Sequence, residues 1–167
     1  HRNGLKSKLF NASSSEIYKG HIDYLVTEDD ANMNHLHPYS IAKIMGHNMV
    51  DFYRKTYKLP FSNGIIFTTE SNRKKPVFLL NKVAEHIRNW KTDNTTPLRV
   101  GNLDSYRNIL HASDVSQAIK TILSVDYGDS YLICNDTSHK VFDLVVSCVD
   151  KIFTKEEVHE ASEQTKE

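Results

Sequence analysis

The chain reads as an α/β protein with a mainly parallel sheet, and three observations predict this. Short apolar runs of strand length alternate with longer segments whose apolar residues recur at helical spacing. Residues suited to helix starts, Pro38, Ser113 and Ser138, stand at the heads of the periodic segments. With 167 residues, 39% hydrophobic and 25% charged, the chain has the length and composition of a globular domain with its own core.

The elements follow in order. Leu9-Phe10-Asn11-Ala12-Ser13 is a short strand running into a loop, and the segment from Tyr18 to Leu36 is polar and loop-like. A helix starts near Pro38, continues through Ile41, Ile44, Met45, Met49, Phe52 and Tyr53, and ends before Pro60. Ser62 to Phe67 is a strand; Val77 to Trp90 is a helix with Phe78, Val83 and Ile87 on one side. Leu98-Arg99-Val100 is a short strand ending at Gly101-Asn102, and Asn108 to His111 is extended. Ser113 caps a helix with Val115, Ala118, Ile119 and Ile122 as its apolar face. Ser130 to Cys134 is a strand, and Ser138 caps a last helix carrying Phe142, Val145, Val146, Val149 and Phe153. There is no internal repeat, and residues 154–167 form a polar tail.

Composition excludes several functions. Lys plus Arg equals Asp plus Glu at 21 each, so no basic excess drives nucleic-acid binding. No apolar run has the length of a membrane span. Cys134 and Cys148 sit in apolar patterns and read as buried, reduced thiols, which fits a cytoplasmic setting. His35 and His37 flank Leu36 with His47 nearby, but a metal site needs further ligands at suitable spacing, so solvated histidines are the reading. Arg73-Lys74-Lys75 reads as a solvated turn.

Two clusters carry chemistry. One is Ser13-Ser14-Ser15-Glu16 after the first strand; the other is Tyr39-Ser40-Ile41-Ala42-Lys43 on the first long helix. Tyr39 and Lys43 are four apart and share a helix face. A phenol ordinarily ionises near pH ~10, and a neighbouring ammonium favours its phenolate. Such a pair can take a proton from a sugar hydroxyl while hydride leaves the same carbon. Ser14 offers a hydroxyl to the reacting oxygen, and Glu16 a carboxylate for a second position. With eight Tyr in the chain, one Tyr-x-x-x-Lys spacing arises readily by chance, and a serine run is often only a loop.

Taken jointly, these motifs are more specific. Asn11-Ala12-Ser13-Ser14-Ser15-Glu16-Ile17-Tyr18 is followed by His37-Pro38-Tyr39-Ser40-Ile41-Ala42-Lys43, then Asn63-Gly64-Ile65-Ile66-Phe67, Glu70-Ser71, Phe78 and Lys82. Gly101-Asn102-Leu103-Asp104-Ser105-Tyr106-Arg107 and His111-Ala112-Ser113-Asp114 come next. This series resembles the extended short-chain dehydrogenases, and among them the GDP-mannose 4,6-dehydratase family. The likeness runs from about position 8 to 153.

The resemblance implies a partial Rossmann-like, doubly wound parallel sheet with part of a smaller C-terminal substrate-binding region. Residues 1–153 would be the catalytic portion of such a domain. It implies a lyase of nucleotide-sugar metabolism, on the route to GDP-fucose, that converts GDP-mannose to GDP-4-keto-6-deoxymannose with NADP as internal hydride carrier. It implies Tyr39 as base at carbon 4, Lys43 as its partner, Ser14 as hydroxyl donor where the family often has Thr, and Glu16 as base at carbon 5. Tyr39, Lys43 and Arg73 would meet the cofactor; Glu70, Lys82 and Arg107 would meet the sugar nucleotide. No metal is implied, and the full-length form would be a homo-oligomer.

The chain departs from the family in places. The glycine-rich dinucleotide fingerprint is absent, only six glycines occur, and the first residue is His1, so the N-terminal dinucleotide half is expected to be missing. Thr68-Thr69 replace Asn-His, Asn108-Ile109-Leu110 replace Asp-Trp-Gly, and Asn81 replaces Arg. This polypeptide alone is therefore expected to show little or no turnover, and its first strand to present an open edge. Two alternatives stay open: another nucleotide-sugar epimerase or dehydratase, and a non-catalytic homologue serving as a binding or structural module.

Overall fold

The computed structural model describes residues 7–18, 26–29, 37–90, 92 and 96–152. The chain divides into two compact units: His1–Thr69 with Ile109–Asp136, and Glu70–Asn108 with Thr137–Glu167.

The first unit is built on a three-stranded parallel sheet. Strands β1 (Leu9–Ser14), β2 (Phe61–Ile66) and β6 (Ser130–Ile133) stand in the order β1-β2-β6. Leu9 pairs with Phe61 and Ser14 with Ile66; Asn63 pairs with Ser130 and Ile66 with Ile133. Neighbouring residues of a strand point to opposite faces, and the two cores show it. Ile65 joins Ile17, Tyr18 and Ile44 of helix α1 (Pro38–Tyr57), with Leu132 packed alongside. Ile66 packs against the cluster of Leu110, Val115, Ile122 and Ile133, built on helix α3 (Ala112–Ser124). Thus α1 and α3 cover opposite faces of one sheet, the doubly wound arrangement in miniature. Strands β3 (Thr68–Glu70) and β5 (Ile109–His111) pair as a second, two-stranded sheet. Among the described residues β1 pairs on one side only. The edge amide of Leu132 in β6 donates to Glu28 Oε1 at 3.3 Å, which blunts that edge.

The second unit holds β4 (Tyr106–Arg107) paired antiparallel with β7 (His139–Lys140), and helices α2 (Leu79–Trp90) and α4 (Val141–Ile152), which pack on each other. Val83 and Ile87 are buried, and Trp90 is half-buried. Lys140 Nζ lies 2.7 Å from Asp104 Oδ1, and this ammonium holds the exposed Asp104 carboxyl below the usual carboxylate range.

Several expectations change. Leu98 to Val100 forms no strand, because a strand needs a ladder; the Arg99 carbonyl is instead met by Lys82 Nζ at 2.5 Å. Phe78 precedes α2 and is exposed. Ser113 does not cap α3: it lies inside the helix, and the cap is His111, whose Nδ1 accepts from the Ser113 amide at 3.3 Å. Ser138 does not cap α4, because β7 intervenes; the amides of Val141 and Phe142 find the carbonyls of Ser105 and Leu103 at 2.9 and 3.0 Å. Cys134 is exposed and Cys148 half-buried, both free; burial pushes both thiols up, with Glu28 adding to the effect at Cys134. Lys74 is not a solvated turn residue, since its ammonium pairs with Glu70 at 2.7 Å and sits 4.5 Å from the Phe78 ring centre. Most of the segment from Tyr18 to Leu36, including His35, and the polar tail 154–167 lie outside the described residues, as does Phe153.

Helix α1 inverts the simplest reading of its apolar residues. Its sheet-facing side is Ser40, Ile44, His47 and Val50, while Ile41, Met45, Met49, Phe52, Tyr53 and Tyr57 are exposed. Among the described residues no helix is long and apolar enough to cross a membrane.

Candidate active site at the carboxyl end of the first strand

Strand β1 ends in a buried serine shelf. Ser13 and Ser14 are 3% and 8% exposed, too closed to be ordinary loop hydroxyls. Ser14 caps the short 3-10 turn Ser15–Ile17, its Oγ accepting from the Glu16 amide at 3.3 Å. Ile17 and Tyr18 then plunge into the core, and the Tyr18 hydroxyl donates to the Thr27 carbonyl at 2.8 Å. That anchoring leaves Glu16 exposed at the tip of the turn.

Helix α1 supplies the facing groups. Pro38 opens its first turn, where a missing N–H costs nothing, and Tyr39 follows with 48% of its surface open. One turn on, Lys43 reaches both ways. Its Nζ donates to the Ala12 carbonyl of β1 at 2.8 Å and lies 5.5 Å from the centre of the Tyr39 ring, within cation–π range. Tyr39 and Lys43 are therefore tied to the strand that carries Ser14, with Glu16 on the turn just beyond. The arrangement presents a phenol, an ammonium, a hydroxyl and a carboxylate, the set needed to move protons at neighbouring carbons.

The other candidates, Glu70, Arg73, Lys82 and Arg107, belong to the second unit. Glu70 is engaged by Lys74, Lys82 by the Arg99 carbonyl, and Arg107 Nη1 by the Tyr106 carbonyl at 2.8 Å. Arg73 is exposed, its amide donating to Ser71 Oγ at 3.3 Å. Among the described residues, these hydrogen bonds do not join the four into one cluster. Asn81, at the position where an Arg was expected, spends its amide on the carbonyls of Ser71 and Lys74.

Sequence reasoning missed a set of inward polar residues on α1. Ser13 Oγ lies 3.1 Å from His47 Nδ1, and Asn63 Nδ2 donates to the His47 carbonyl at 3.1 Å and to Asp51 Oδ1 at 2.9 Å. Arg54 binds Asp51 at 2.6 Å and Ser130 Oγ at 3.2 Å. Burial holds the His47 imidazole below its ordinary range, against the pull of Asp51 and with help from Arg54 and Lys55. The available signal was the four-residue spacing that continues from Tyr39 and Lys43 through His47 and Asp51. His37 is exposed, and among the described residues no group of three His, Cys, Asp or Glu could hold a metal.

A family model described as GDP-mannose 4,6 dehydratase matches residues 1–167. GDP-mannose 4,6 dehydratase 2 of Caenorhabditis elegans is 29% identical over 136 residues, 81% of this chain and 35% of that protein. GDP-mannose 4,6 dehydratase of Drosophila melanogaster is 30% identical over 138 residues, 83% of this chain and 35% of its own length. The chain thus spans about a third of the length of these relatives. Among solved structures, RMD from Pseudomonas aeruginosa complexed with NADPH superposes with a TM-score of 0.80 at 20% identity, covering 90% of this chain and 53% of that one. The dTDP-glucose 4,6-dehydratase of Bacillus anthracis in complex with NAD gives 0.76 at 21% identity, covering 90% and 48%. Both likenesses show the fold: a parallel sheet with helices, of which this chain carries part.

Proposed function

The chain belongs to the GDP-mannose 4,6-dehydratase family, and from that premise we propose that it carries the catalytic residues of a nucleotide-sugar 4,6-dehydratase acting on GDP-mannose. The observation that carries the reading is Lys43, whose ammonium joins Tyr39 to the end of β1 where Ser14 stands.

In this reading Tyr39 accepts the proton of the sugar's carbon 4 hydroxyl while Ser14 holds that oxygen by a hydrogen bond. Lys43 supplies the positive charge that favours the phenolate. The ketone formed at carbon 4 acidifies carbon 5, and Glu16 removes that proton. The carbon 6 hydroxyl leaves as water, giving a 5,6-alkene conjugated to the ketone. With the hydride returned to carbon 6 and a proton to carbon 5, the product would be the 4-keto-6-deoxy sugar. Glu16 favours dehydration over simple carbon 4 epimerisation, which needs no base at carbon 5.

The residues fit the reactive end of a nicotinamide cofactor. An exposed phenol and an ammonium stand at the carboxyl end of a parallel strand, where open α/β sheets bind ligands. Bound there, NADP supplies the acceptor of hydride from carbon 4 and its donor to carbon 6. Tyr39 and Lys43 are the residues that the first unit offers to it.

A second reading, a related sugar nucleotide as substrate, draws on Thr68-Thr69, Asn81 and Asn108-Ile109-Leu110, where the chain departs from the family pattern. The test uses protein from the complete coding sequence, GDP-mannose and NADP, with mass spectrometry for loss of one water. Conversion of GDP-mannose supports the leading reading. Conversion of UDP- or dTDP-glucose alone would replace it with the second.

A further inference from the structure

The side of α1 that meets the sheet carries a polar ladder. Tyr39, Lys43, His47 and Asp51 stand one helical turn apart. Three successive rungs reach the sheet. Lys43 donates to the Ala12 carbonyl at 2.8 Å; the His47 ring meets Ser13 Oγ at 3.1 Å; Asp51 accepts from Asn63 at 2.9 Å. The middle rung is the buried one, with His47 6% and Ser13 3% exposed. Asn63, fully buried, clamps the His47 backbone carbonyl as well and is itself held by Asn11 Nδ2 at 2.8 Å.

We propose that the Ser13–His47 hydrogen bond is a positioning device that sets the register of α1 against β1, and through it the places of the Lys43 ammonium and the Ser14 hydroxyl. The inference rests on the reading of Tyr39 and Lys43 as the catalytic pair. Ser13 lies between Ala12, which takes the Lys43 hydrogen bond, and Ser14, while His47 lies one turn from Lys43. Any slide of α1 along β1 carries Tyr39 and Lys43 with it and stretches the Ser13–His47 hydrogen bond, so holding that bond holds their places. Apolar side chains at 13 and 47 would also fill this space, but dispersion contacts accept several registers, whereas a buried hydrogen bond accepts one. Burial weakens the imidazole's hold on a proton, which disfavours a second positive charge one turn from Lys43.

The experiment compares Ser13→Ala, His47→Leu, the double variant and His47→Asn, whose amide reaches near the Nδ1 position, all in protein from the complete coding sequence. Each single loss of the hydrogen bond is expected to lower kcat on GDP-mannose by about tenfold to a hundredfold, with KM within about threefold. The double variant is expected to be no worse than the worse single one, and His47→Asn to regain most of the rate. A second readout needs no turnover. Lysines are reductively methylated with 13C, and the Lys43 signal is identified by its loss in Lys43→Arg. That signal is expected to move in Ser13→Ala and His47→Leu and to return in His47→Asn. If the unsubstituted protein leaves GDP-mannose untouched, the functional reading fails, and the Lys43 signal alone decides the positioning role. If His47→Leu does not fold, Ser13→Ala carries the same comparison. A lowered melting temperature with unchanged kcat and an unmoved Lys43 signal overturns the proposal, as do losses that multiply in the double variant.

Discussion

Lys43 Nζ donates a 2.8 Å hydrogen bond to the carbonyl of Ala12, binding the first turns of α1 to the last residues of β1. The same ammonium lies 5.5 Å from the Tyr39 ring centre, so one side chain links that ring to the end of β1. Tyr39→Phe keeps the ring and removes only the proton acceptor. We expect kcat on GDP-mannose to fall by about two to four orders of magnitude, with little change in melting temperature, since Tyr39 is half open to solvent. Lys43→Met is expected to cost a similar factor while leaving the Ala12 carbonyl to water. Steady-state kinetics on both variants is the check; a rate near that of the unsubstituted protein in Tyr39→Phe would remove Tyr39 from the mechanism.

Glu16 stands exposed beyond the buried shelf, its amide fixed by Ser14 Oγ at 3.3 Å. If it works at carbon 5, it exchanges that proton with solvent. Product made in deuterium oxide is then expected to carry deuterium at carbon 5. Glu16→Gln is expected to abolish water loss while keeping nucleotide-sugar binding, because the amide is isosteric and cannot take a proton. Nuclear magnetic resonance of the product and a binding titration separate these effects. Unchanged dehydration by Glu16→Gln would assign the carbon 5 base elsewhere.

The long elements were legible in the sequence and the short ones were not. Strands β1, β2 and β6 and helices α1 and α3 each hold enough residues for a local pattern, so alternation and helical spacing found them. β3, β4 and β7 have two or three residues each and exist only through partners far away in sequence: Tyr106 pairs with Lys140 and Arg107 with His139. The Ser138 cap failed for a related reason, whereas Ser113 lies inside α3 because His111, two residues earlier, is the cap. Ser138 has the chemistry of a cap, but carbonyls at 103 and 105 already hold the first amides of α4. At the site, the shared helix face of Tyr39 and Lys43 follows from spacing alone. That Lys43 ends on the Ala12 carbonyl, or that His47 and Asp51 continue the same ladder into the sheet, depends on how α1 is turned. Its apolar residues misdirect there, because Met45 and Met49 face outward, 67% and 56% exposed.

Gly128 lies where the chain crosses close over the start of β2. A Cβ built on it would stand 2.2 Å from the Phe61 carbonyl oxygen and 2.5 Å from the Phe61 nitrogen. Backbone cannot rotate away as a side chain can, so β6 would have to lift from β2, straining the Asn63 to Asp129 hydrogen bond of 3.0 Å. Gly128→Ala is expected to destabilise the fold by about 1–3 kcal/mol or more, the usual cost of overpacking. Urea unfolding measures this directly; an unchanged midpoint would mean that the backbone at Gly128 and Phe61 yields to a methyl group without cost.

The buried imidazole also makes stability depend on pH with a definite sign. Desolvation lowers the His47 value below its ordinary 6.5 in the folded state, Arg54 and Lys55 push the same way, and Asp51 opposes them; Ser13 on β1 is neutral. The unfolded chain therefore binds a proton at His47 more readily than the folded one. The stabilising contribution is complete above about pH 6.5 and is lost as pH falls from there through the lower folded value, with a slope of at most about 1.4 kcal/mol per pH unit. In His47→Asn, which cannot titrate, this component is absent. Denaturant unfolding between about pH 7.5 and pH 5 is expected to show a steeper acid loss in the unsubstituted protein than in the variant. Parallel curves would mean that His47 gains its proton without cost in the folded state, and that Asp51 outweighs burial.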